Sequence, residues 1–293
     1  MPTTPPDPGQ RRQLLNLTYR LLGSLAEAED AVQETYARWY ALPPPQRQAI
    51  ESPGAWLAKV ASRICLDLLT SARARRERYV GQWLPEPLPD PTEWTSAAAG
   101  VDPADRVTLD ESVSMALLVV LDAMTPAERV AFVLHDVFGY AFAEVARVTG
   151  RTPAACRQLA SQARRRVRGG GAVPAGGQAG IVRAFRLAWE AGDIRALVGL
   201  LDPDATVVAD GGGLASAAPR PIEGGERIAR YLVDLAGRAP ANVRFLERTV
   251  NGQPGLVAQQ DGVTVTVLAF EVAGDRITHI WAVTNPEKLR PWT

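Results

Sequence analysis

The sequence feature that most constrains the fold is a pair of short helical patterns, separated by glycine, within residues 139–168. Apolar or small residues recur at helical spacing over residues 142–148, and Gly150 ends the pattern. Thr152 supplies a hydroxyl cap and Pro153 suits a first helical turn, so a second helix is expected to begin almost at once. Two helices joined by a short turn that contains glycine predict a helix-turn-helix.

The second helix of this pair combines a narrow stripe of small residues with an arginine-rich opposite face. The stripe has the spacing i, i+4, i+7 and i+11 and consists of Cys156, Ala160, Ala163 and Val167. All six charged residues between positions 151 and 168 are arginines, a pattern that favours contacts with DNA phosphates and with base edges in a major groove. A solvated helix with an arginine-rich end is the alternative. The residues predicted to point outward are Thr152, Ala155, Arg157, Gln158, Ser161, Arg164 and Arg165.

Length, charge and cysteine content narrow the possible classes of protein. A chain of 293 residues predicts two or three domains. The formal net charge of zero argues against a generally basic nucleic-acid coat, so the basic character is local. Two histidines and two cysteines nearly exclude a structural zinc site, and Cys65 and Cys156 are predicted to be buried apolar fillers. Since no apolar signal core or membrane-spanning stretch is present, we expect a cytoplasmic protein.

Further helical patterns precede the helix-turn-helix. One begins at Ser24, which forms a predicted capping box with Glu27, and its polar ridge is either solvated surface or a docking face. A long amphipathic pattern that opens at Pro53 has basic exposed positions, which favour contact with a phosphate backbone. Trp56 on this pattern is either a stacking residue or, as is commoner for tryptophan, part of the core. Helical patterns also cover residues 12–22, 109–123 and 126–138, the last restarted by Thr125 with Glu128.

Three segments taken together resemble regions two and four of an extracytoplasmic-function sigma factor. They are LGSLAEAEDAVQETYARWY, SPGAWLAKVASRICLDLLTSARARRE and LDAMTPAERVAFVLHDVFGYAFAEVARVTGRTPAACRQLASQARRRVR. The intervening YVGQWLPEPL resembles a motif of the SigJ-like group, whose members carry a SnoaL-like domain at the C-terminus. The resemblance implies an alternative sigma factor that binds the β′ and β subunits of core RNA polymerase and directs recognition of the −10 and −35 promoter elements.

The resemblance also implies roles for individual residues. The helix that faces the β′ clamp helices would present Asp30, Gln33, Glu34 and Trp39. The residues that contact the −10 element would be Trp56, Lys59, Arg63, Asp67 and Arg73. The −35 element would be read by the outward residues of the helix-turn-helix. Regulatory contacts of the C-terminal domain with the linker and with regions two and four would use Trp83, Pro85, Asp210, Gly211, Gly212, Gly213, Asn285, Pro286 and Lys288.

The C-terminal part of the chain has a different pattern after a glycine-rich tract at residues 169–180, which predicts a flexible boundary. Helical patterns cover residues 181–191, 194–201 and 225–235. Short alternating segments with Asp261-Gly262 and Gly274-Asp275 turns predict antiparallel hairpins. The strand segments are 205–208, 243–250, 256–260, 263–271 and 276–284. This order predicts an α+β domain and resembles the SnoaL-like, NTF2-like cone.

Asp210 and His279 are the candidates for acid–base catalysis in this domain, although the sequence shows no pair that converges on a dry pocket. The competing interpretation makes residues 210–213 a loop whose glycines permit close approach to another surface. We expect a regulatory domain that is not an enzyme and has no cofactor or metal. A SnoaL-type enzyme or small-molecule sensor fused to a DNA-binding module is the alternative. The predicted division is all-α sigma region 2 at 10–80, an extended linker at 81–108, all-α sigma region 4 at 109–170, a flexible linker at 171–180 and the SnoaL-like domain at 181–293.

Overall fold

The computed structural model describes residues 8–76, 79–90, 113–167, 175–238, 240 and 242–292. These residues divide into two units. The helical unit contains residues 8–76 and 117–167, and the C-terminal unit contains residues 79–90, 113–116 and the described residues from 175 onward. No helix of the described ranges is long and apolar enough to cross a bilayer.

Helix boundaries in the helical unit follow local capping signals. Ser24 accepts a hydrogen bond from the Glu27 amide at the start of α2, which is one of the two bonds of the predicted capping box. The helix start predicted at Thr125 and Glu128 is confirmed, and these two residues form a reciprocal capping box at the start of α6. The helices are α1 (Pro8–Leu22), α2 (Leu25–Ala41), α3 (Pro44–Gln48), α4 (Pro53–Arg76), α5 (Met115–Asp122), α6 (Pro126–Phe132), α7 (Phe142–Thr149) and α8 (Pro153–Val167). The first two residues of α5 are assigned to the C-terminal unit and the rest to the helical unit.

Two predicted helices of this unit are shorter than expected. The helix predicted over residues 109–123 begins only at Met115, because Val113 and Ser114 are not helical, and residues 109–112 lie outside the described part of the chain. The helix predicted over residues 126–138 ends at Phe132 and continues as a π-helical turn, Val133–Val137. Around these elements, α1 packs on α2 and α4, and α8 packs on α6 and α7. Cys65 and Cys156 are fully buried and free, as predicted.

The C-terminal unit joins three helices to one six-stranded sheet among the described residues. The strand order is β2-β1-β6-β5-β4-β3. The antiparallel hairpins predicted at the Asp261-Gly262 and Gly274-Asp275 turns are confirmed, whereas β1 pairs with β6 in parallel. The helices are α9 (Ala175–Glu190), α10 (Ile194–Leu200) and α11 (Gly225–Arg238). The strands are β1 (Leu201–Asp210), β2 (Ile222–Glu223), β3 (Val243–Val250), β4 (Gln253–Gln260), β5 (Val263–Ala273) and β6 (Arg276–Val283).

Helix α9 also corrects a prediction, because it begins at Ala175 and so includes residues 175–180 of the predicted flexible linker. Its apolar side covers one face of the sheet. Phe185 packs edge-on against Phe270 of β5 at 5.3 Å between ring centres, and Trp189 lies 4.4 Å from the ring of Phe245 on β3. The parallel pairing aligns the ends of β1 and β6, since Asp210 lies opposite Val283. The carboxyl end of β1 therefore opens onto the chain segment that follows β6.

Candidate functional site

The helix-turn-helix in the helical unit is built as predicted. Gly150 adopts a left-handed conformation, with φ of 66°, and ends α7 where a residue with a β-carbon would be strained. Helix α8 then begins at Pro153 and buries Cys156, Ala160 and Ala163, whose small size allows a close approach to α6 and α7. Val167, the last residue of the predicted stripe, is half-buried.

Most of the predicted −35 readers are exposed on α8. Ala155 and Arg164 are exceptions, because both are half-buried, and Arg164 lies 3.4 Å from the carboxylate of Asp136. The Arg157 guanidinium lies over the ring of Phe142 at 5.2 Å, which holds its side chain against α7. The exposed readers are Thr152, Arg157, Gln158, Ser161 and Arg165. This exposure leaves them available to a ligand, and their contact with DNA stays a prediction.

The predicted polymerase-binding residues lie on α2. Asp30, Gln33 and Glu34 are exposed, and Glu34 pairs with Arg38 one turn away at 2.8 Å. Trp39 is half-buried. A surface ion pair of this kind contributes little to stability, and the contact of these residues with a polymerase stays a prediction.

The predicted −10 residues lie on α4. Lys59, Arg63 and Asp67 are exposed, whereas the side chain of Arg73 lies outside the described residues. Trp56 is half-buried, with its ring centre 5.2 Å from that of Trp39 on α2. Trp56 therefore packs against a second aromatic ring and is neither a fully buried core residue nor a freely exposed stacking residue.

In the C-terminal unit, the predicted regulatory residues converge on one buried carboxylate. Asp210 at the end of β1 is 0% exposed. Its Oδ1 accepts hydrogen bonds from the Tyr79 hydroxyl at 2.6 Å and the Gly212 amide at 3.0 Å. Its Oδ2 accepts from the Leu84 amide at 2.8 Å and from Lys288 Nζ at 2.7 Å. Both oxygens are thus occupied, and Tyr79 and Leu84 belong to residues 79–90, here called the linker segment.

We call the site formed by Asp210, Tyr79, Leu84, Gly212 and Lys288 the linker clamp. Lys288 is its cation. Its side chain is 12% exposed, and its ammonium group also donates to the Leu84 carbonyl. The ammonium lies 4.2 Å from the centre of the Trp83 ring and 5.2 Å from that of the Tyr79 ring, so two aromatic faces of the linker segment enclose it. Burial raises the pKa of Tyr79, and its hydrogen bond to Asp210 raises it further, which keeps the phenol protonated as a donor.

The glycines after Asp210 allow the chain to approach its neighbours closely, as the loop interpretation predicted. Gly212 and Gly213 have φ values of 61° and 73°. A β-carbon at Gly212 would overlap the side chain of Asn285, and one at Gly213 would lie 2.9 Å from the side chain of Val80. Asn285 in turn donates from Nδ2 to the Tyr79 hydroxyl at 2.9 Å. Of the other predicted regulatory residues, Pro85 is buried and Pro286 is exposed.

The two predicted catalytic candidates do not meet. His279 pairs in the sheet with Thr206, whereas Asp210 lies four residues further along β1, about 13 Å at the usual rise per strand residue. His279 Nδ1 instead donates to Glu271 Oε2 at 2.7 Å, and this hydrogen bond lowers the pKa of Glu271. Among the described residues there is also no cluster of three side chains that could hold a metal ion.

Residues 10–75 match Sigma-70 region 2, and residues 114–167 match Sigma-70 region 4. The chain is 38% identical to the ECF RNA polymerase sigma factor SigJ of Mycobacterium tuberculosis, over 95% of this chain and 90% of that protein. The chain belongs to the extracytoplasmic-function sigma factors. It is also 34% identical to a probable ECF sigma factor, SigI, of M. tuberculosis over 96% of this chain and 92% of that protein. The crystal structure of M. tuberculosis SigJ superposes with a TM-score of 0.78 at 35% identity and covers 97% of both chains.

Membership of this family accounts for the helical unit. The protein is a sigma factor that directs RNA polymerase to promoters, with region 2 in helices α1 to α4 and region 4 in the helices that include the helix-turn-helix. The C-terminal unit has the NTF2-like, SnoaL-like fold that the sequence predicted, a sheet packed on helices.

Several residues of the linker clamp region were missed by sequence reasoning. The sequence gives Tyr79 no role beyond membership of the linker motif, although it supplies the shortest hydrogen bond to Asp210. Asn251 was also missed. Its backbone amide donates to the Leu88 carbonyl at 2.9 Å, and its side-chain Oδ1 accepts from the backbone amide of Leu88 at 3.2 Å. Trp292 Nε1 donates to the Pro87 carbonyl at 2.8 Å. The Asn251-Gly252 dipeptide is a turn signal, but nothing in it indicates a partner that lies 163 positions away.

Proposed function

We propose that this sigma factor contacts the polymerase β′ clamp helices through α2, the −10 element through α4 and the −35 element through α8. We also propose that its NTF2-like domain restrains the linker segment and so modulates the factor in cis. The exposed acidic ridge of α2 and the carboxylate-free arginine face of α8 support the first part. Because the partner is RNA polymerase, the factor acts in the cytoplasm. The domain division given by the sequence is part of this proposal, except that α9 replaces the predicted flexible linker from Ala175 onward.

The linker clamp is the observation that carries the regulatory part. A buried carboxylate with four donors, two of them from the linker segment, holds that segment far more firmly than apolar contact alone. The segment connects region 2 to region 4 along the chain. A change in its docking therefore changes the freedom with which the two regions can engage the polymerase and two promoter elements.

Transcription with purified core polymerase tests the proposal. The full chain should produce transcripts from a promoter that it selects, and Asp210→Asn should change the yield in the same direction as truncation after Gly170. Glu226→Gln is the matched control, because Glu226 forms only an exposed ion pair with Arg230 on α11. If the truncated and full chains behave identically, the domain has no role in control. If the chain fails to co-purify with the catalytic subunits, the polymerase contacts proposed for α2 are wrong.

We further propose that the NTF2-like domain is not catalytic. Asp210 is committed to the linker clamp, and His279 is committed to Glu271 on a different part of the sheet. Alanine at both positions should leave polymerase-dependent initiation in place, although the change at Asp210 should alter its level. Loss of all transcription in His279→Ala alone would contradict this assignment.

A further inference from the structure

The arginines of α8 differ in what holds them inside region 4. Arg164 lies 3.4 Å from the carboxylate of Asp136, and Arg166 donates from Nη1 to a backbone carbonyl just after α5 at 2.8 Å. Among the residues that the structure describes, Arg157 has no carboxylate partner, and its guanidinium lies over the ring of Phe142 at 5.2 Å. An aromatic face therefore holds Arg157, whereas hydrogen bonds and ion pairs hold the other two.

Contact with an aromatic face fixes an arginine without occupying its donors. The guanidinium group is planar and meets a ring through its face, whereas its five N–H donors lie in its plane. Arg157 is also exposed on α8, so these donors can reach a phosphate or a base edge. A side chain that is already restricted loses less conformational freedom when it binds than a mobile one does. Phe142 thus restricts Arg157 before any ligand is bound.

Phe142 is held in turn by His135. The centres of the two rings are 3.8 Å apart, and the ring planes are inclined by 27°. His135 Nδ1 lies 2.8 Å from the carbonyl oxygen of Tyr140. Because a carbonyl oxygen only accepts, Nδ1 carries the proton of this hydrogen bond. The bond sets the orientation of the imidazole, the imidazole packs on the ring of Phe142, and that ring contacts Arg157.

The backbone around His135 has an unusual geometry. His135 lies in the π-helical turn Val133–Val137, a form that is rare and frequent at functional sites. The next residue of the turn, Asp136, pairs directly with Arg164 on α8. The turn therefore makes two links to α8, one through Asp136 and one through Phe142. All of these residues belong to region 4, so neither link depends on region 2.

We propose that His135 and Phe142 are positioning residues for Arg157 in recognition of the −35 element. This inference rests on the proposed function of α8. His135 orients the ring of Phe142, and Phe142 holds the guanidinium of Arg157 while its N–H donors stay open to DNA. Neither His135 nor Phe142 has to touch DNA. Arg165 is exposed, and no described ring or carboxylate holds it, so it contributes independently of the two positioning residues.

Two substitutions separate the ring of His135 from its hydrogen bond. His135→Phe keeps an aromatic ring and removes the donor, whereas His135→Asn keeps a donor near Nδ1 and removes the ring. The measurement is the affinity of holoenzyme, made from core polymerase and the full chain, for a promoter fragment. His135→Asn should weaken binding about two- to fivefold, the typical size of an exposed cation–π contact, and His135→Phe should stay near the parent. Parent affinity in His135→Asn would overturn the proposal.

A second background shows whether His135 acts through Arg157. In Arg157→Ala, the further change His135→Asn should cause no additional loss. In Arg165→Ala, the matched control from the same helix, it should cause the same two- to fivefold loss as in the parent chain. An equal loss in the Arg157→Ala background would indicate a general loosening of region 4 and would overturn the proposal. If the melting curve shows that His135→Asn does not fold, Phe142→Leu replaces it in the same comparison.

A fragment with a scrambled −35 element separates failure of this inference from failure of the proposed function. If parent holoenzyme binds the intact and scrambled fragments equally, the function proposed for α8 fails. The contact of Arg157 with the ring is then still decided in the free full-length chain by nuclear magnetic resonance. The Hδ protons of Arg157 should be shifted upfield by the ring current, and Phe142→Leu should abolish this shift while His135→Asn reduces it. Arg157 shifts that stay the same in both variants would overturn the positioning role.

Discussion

Replacement of Asp210 by asparagine should release the linker segment from the NTF2-like domain. Asparagine keeps the size of the side chain and one acceptor oxygen. Its NH2 group, however, replaces a carboxylate oxygen that accepts two hydrogen bonds in the parent chain, so two donors lose their acceptor. The substitution also removes the counter-charge of Lys288, whose side chain is 12% exposed. Because breaking a buried ion pair costs about 3–5 kcal/mol and Lys288 keeps its bond to the Leu84 carbonyl, we expect a loss of about 3 kcal/mol.

Hydrogen exchange can measure this loss at one informative amide. The Leu84 amide donates to Asp210 itself, so faster exchange there would report only the missing acceptor. The Leu88 amide donates to Asn251, which the substitution does not touch. If the whole segment undocks, exchange of the Leu88 amide should accelerate roughly 100-fold, the factor that corresponds to about 3 kcal/mol. Acceleration at Leu84 with no change at Leu88 would refute the reasoning, and Glu226→Gln should change neither.

Three further predictions concern separate parts of the molecule. Gly212→Ala should lower the thermal midpoint of the C-terminal unit, because its positive φ costs roughly 1–2 kcal/mol with a β-carbon and that carbon would overlap Asn285. Arg165→Ala should weaken binding of polymerase holoenzyme to the −35 element by about 1–3 kcal/mol if it reads a base, with an unchanged melting curve. The hydrogen bond from His279 lowers the pKa of Glu271 in the folded protein. Ionised Glu271 therefore contributes its full stabilisation of the fold above the unfolded-state pKa of about 4.3, and this contribution is lost as the pH falls through the folded-state pKa. Glu271→Gln should therefore flatten the acid side of the stability curve, measured by urea unfolding across that pH range.

The helices could be predicted where a local signal sets their ends. Ser24, Thr125 and Gly150 act through the backbone groups within a few residues of themselves, so the sequence alone contains the information. The parallel pairing of β1 with β6 could not be predicted in this way. It joins residues more than 70 positions apart, and alternation of apolar and polar residues is the same for a parallel and an antiparallel neighbour.

The linker clamp could be predicted only in part, because some of its signals are local and its partners are distant in sequence. The three glycines after Asp210 indicated a close approach, because glycine tolerates both positive φ and the absence of space for a β-carbon. The partner surface could not be read from them, since Tyr79 lies 131 positions before Asp210. Asp210 and His279 also show the limit of residue type as a guide to chemistry. Both suit acid–base catalysis, and the sheet register places them too far apart to act on one atom.

Under the proposed function, docking of the linker segment would set a thermodynamic condition on assembly with the polymerase. If the core enzyme binds only chains whose linker segment is released, docking reduces its apparent affinity, and the contribution of about 3 kcal/mol from Asp210 accounts for roughly 100-fold of that reduction. Asp210→Asn should then raise the apparent affinity by the same factor by which it accelerates exchange of the Leu88 amide. A polymerase titration of the two chains compares the factors directly. Equal affinities despite faster Leu88 exchange would mean that the polymerase accepts the docked segment, and control by the NTF2-like domain would then have to act after assembly.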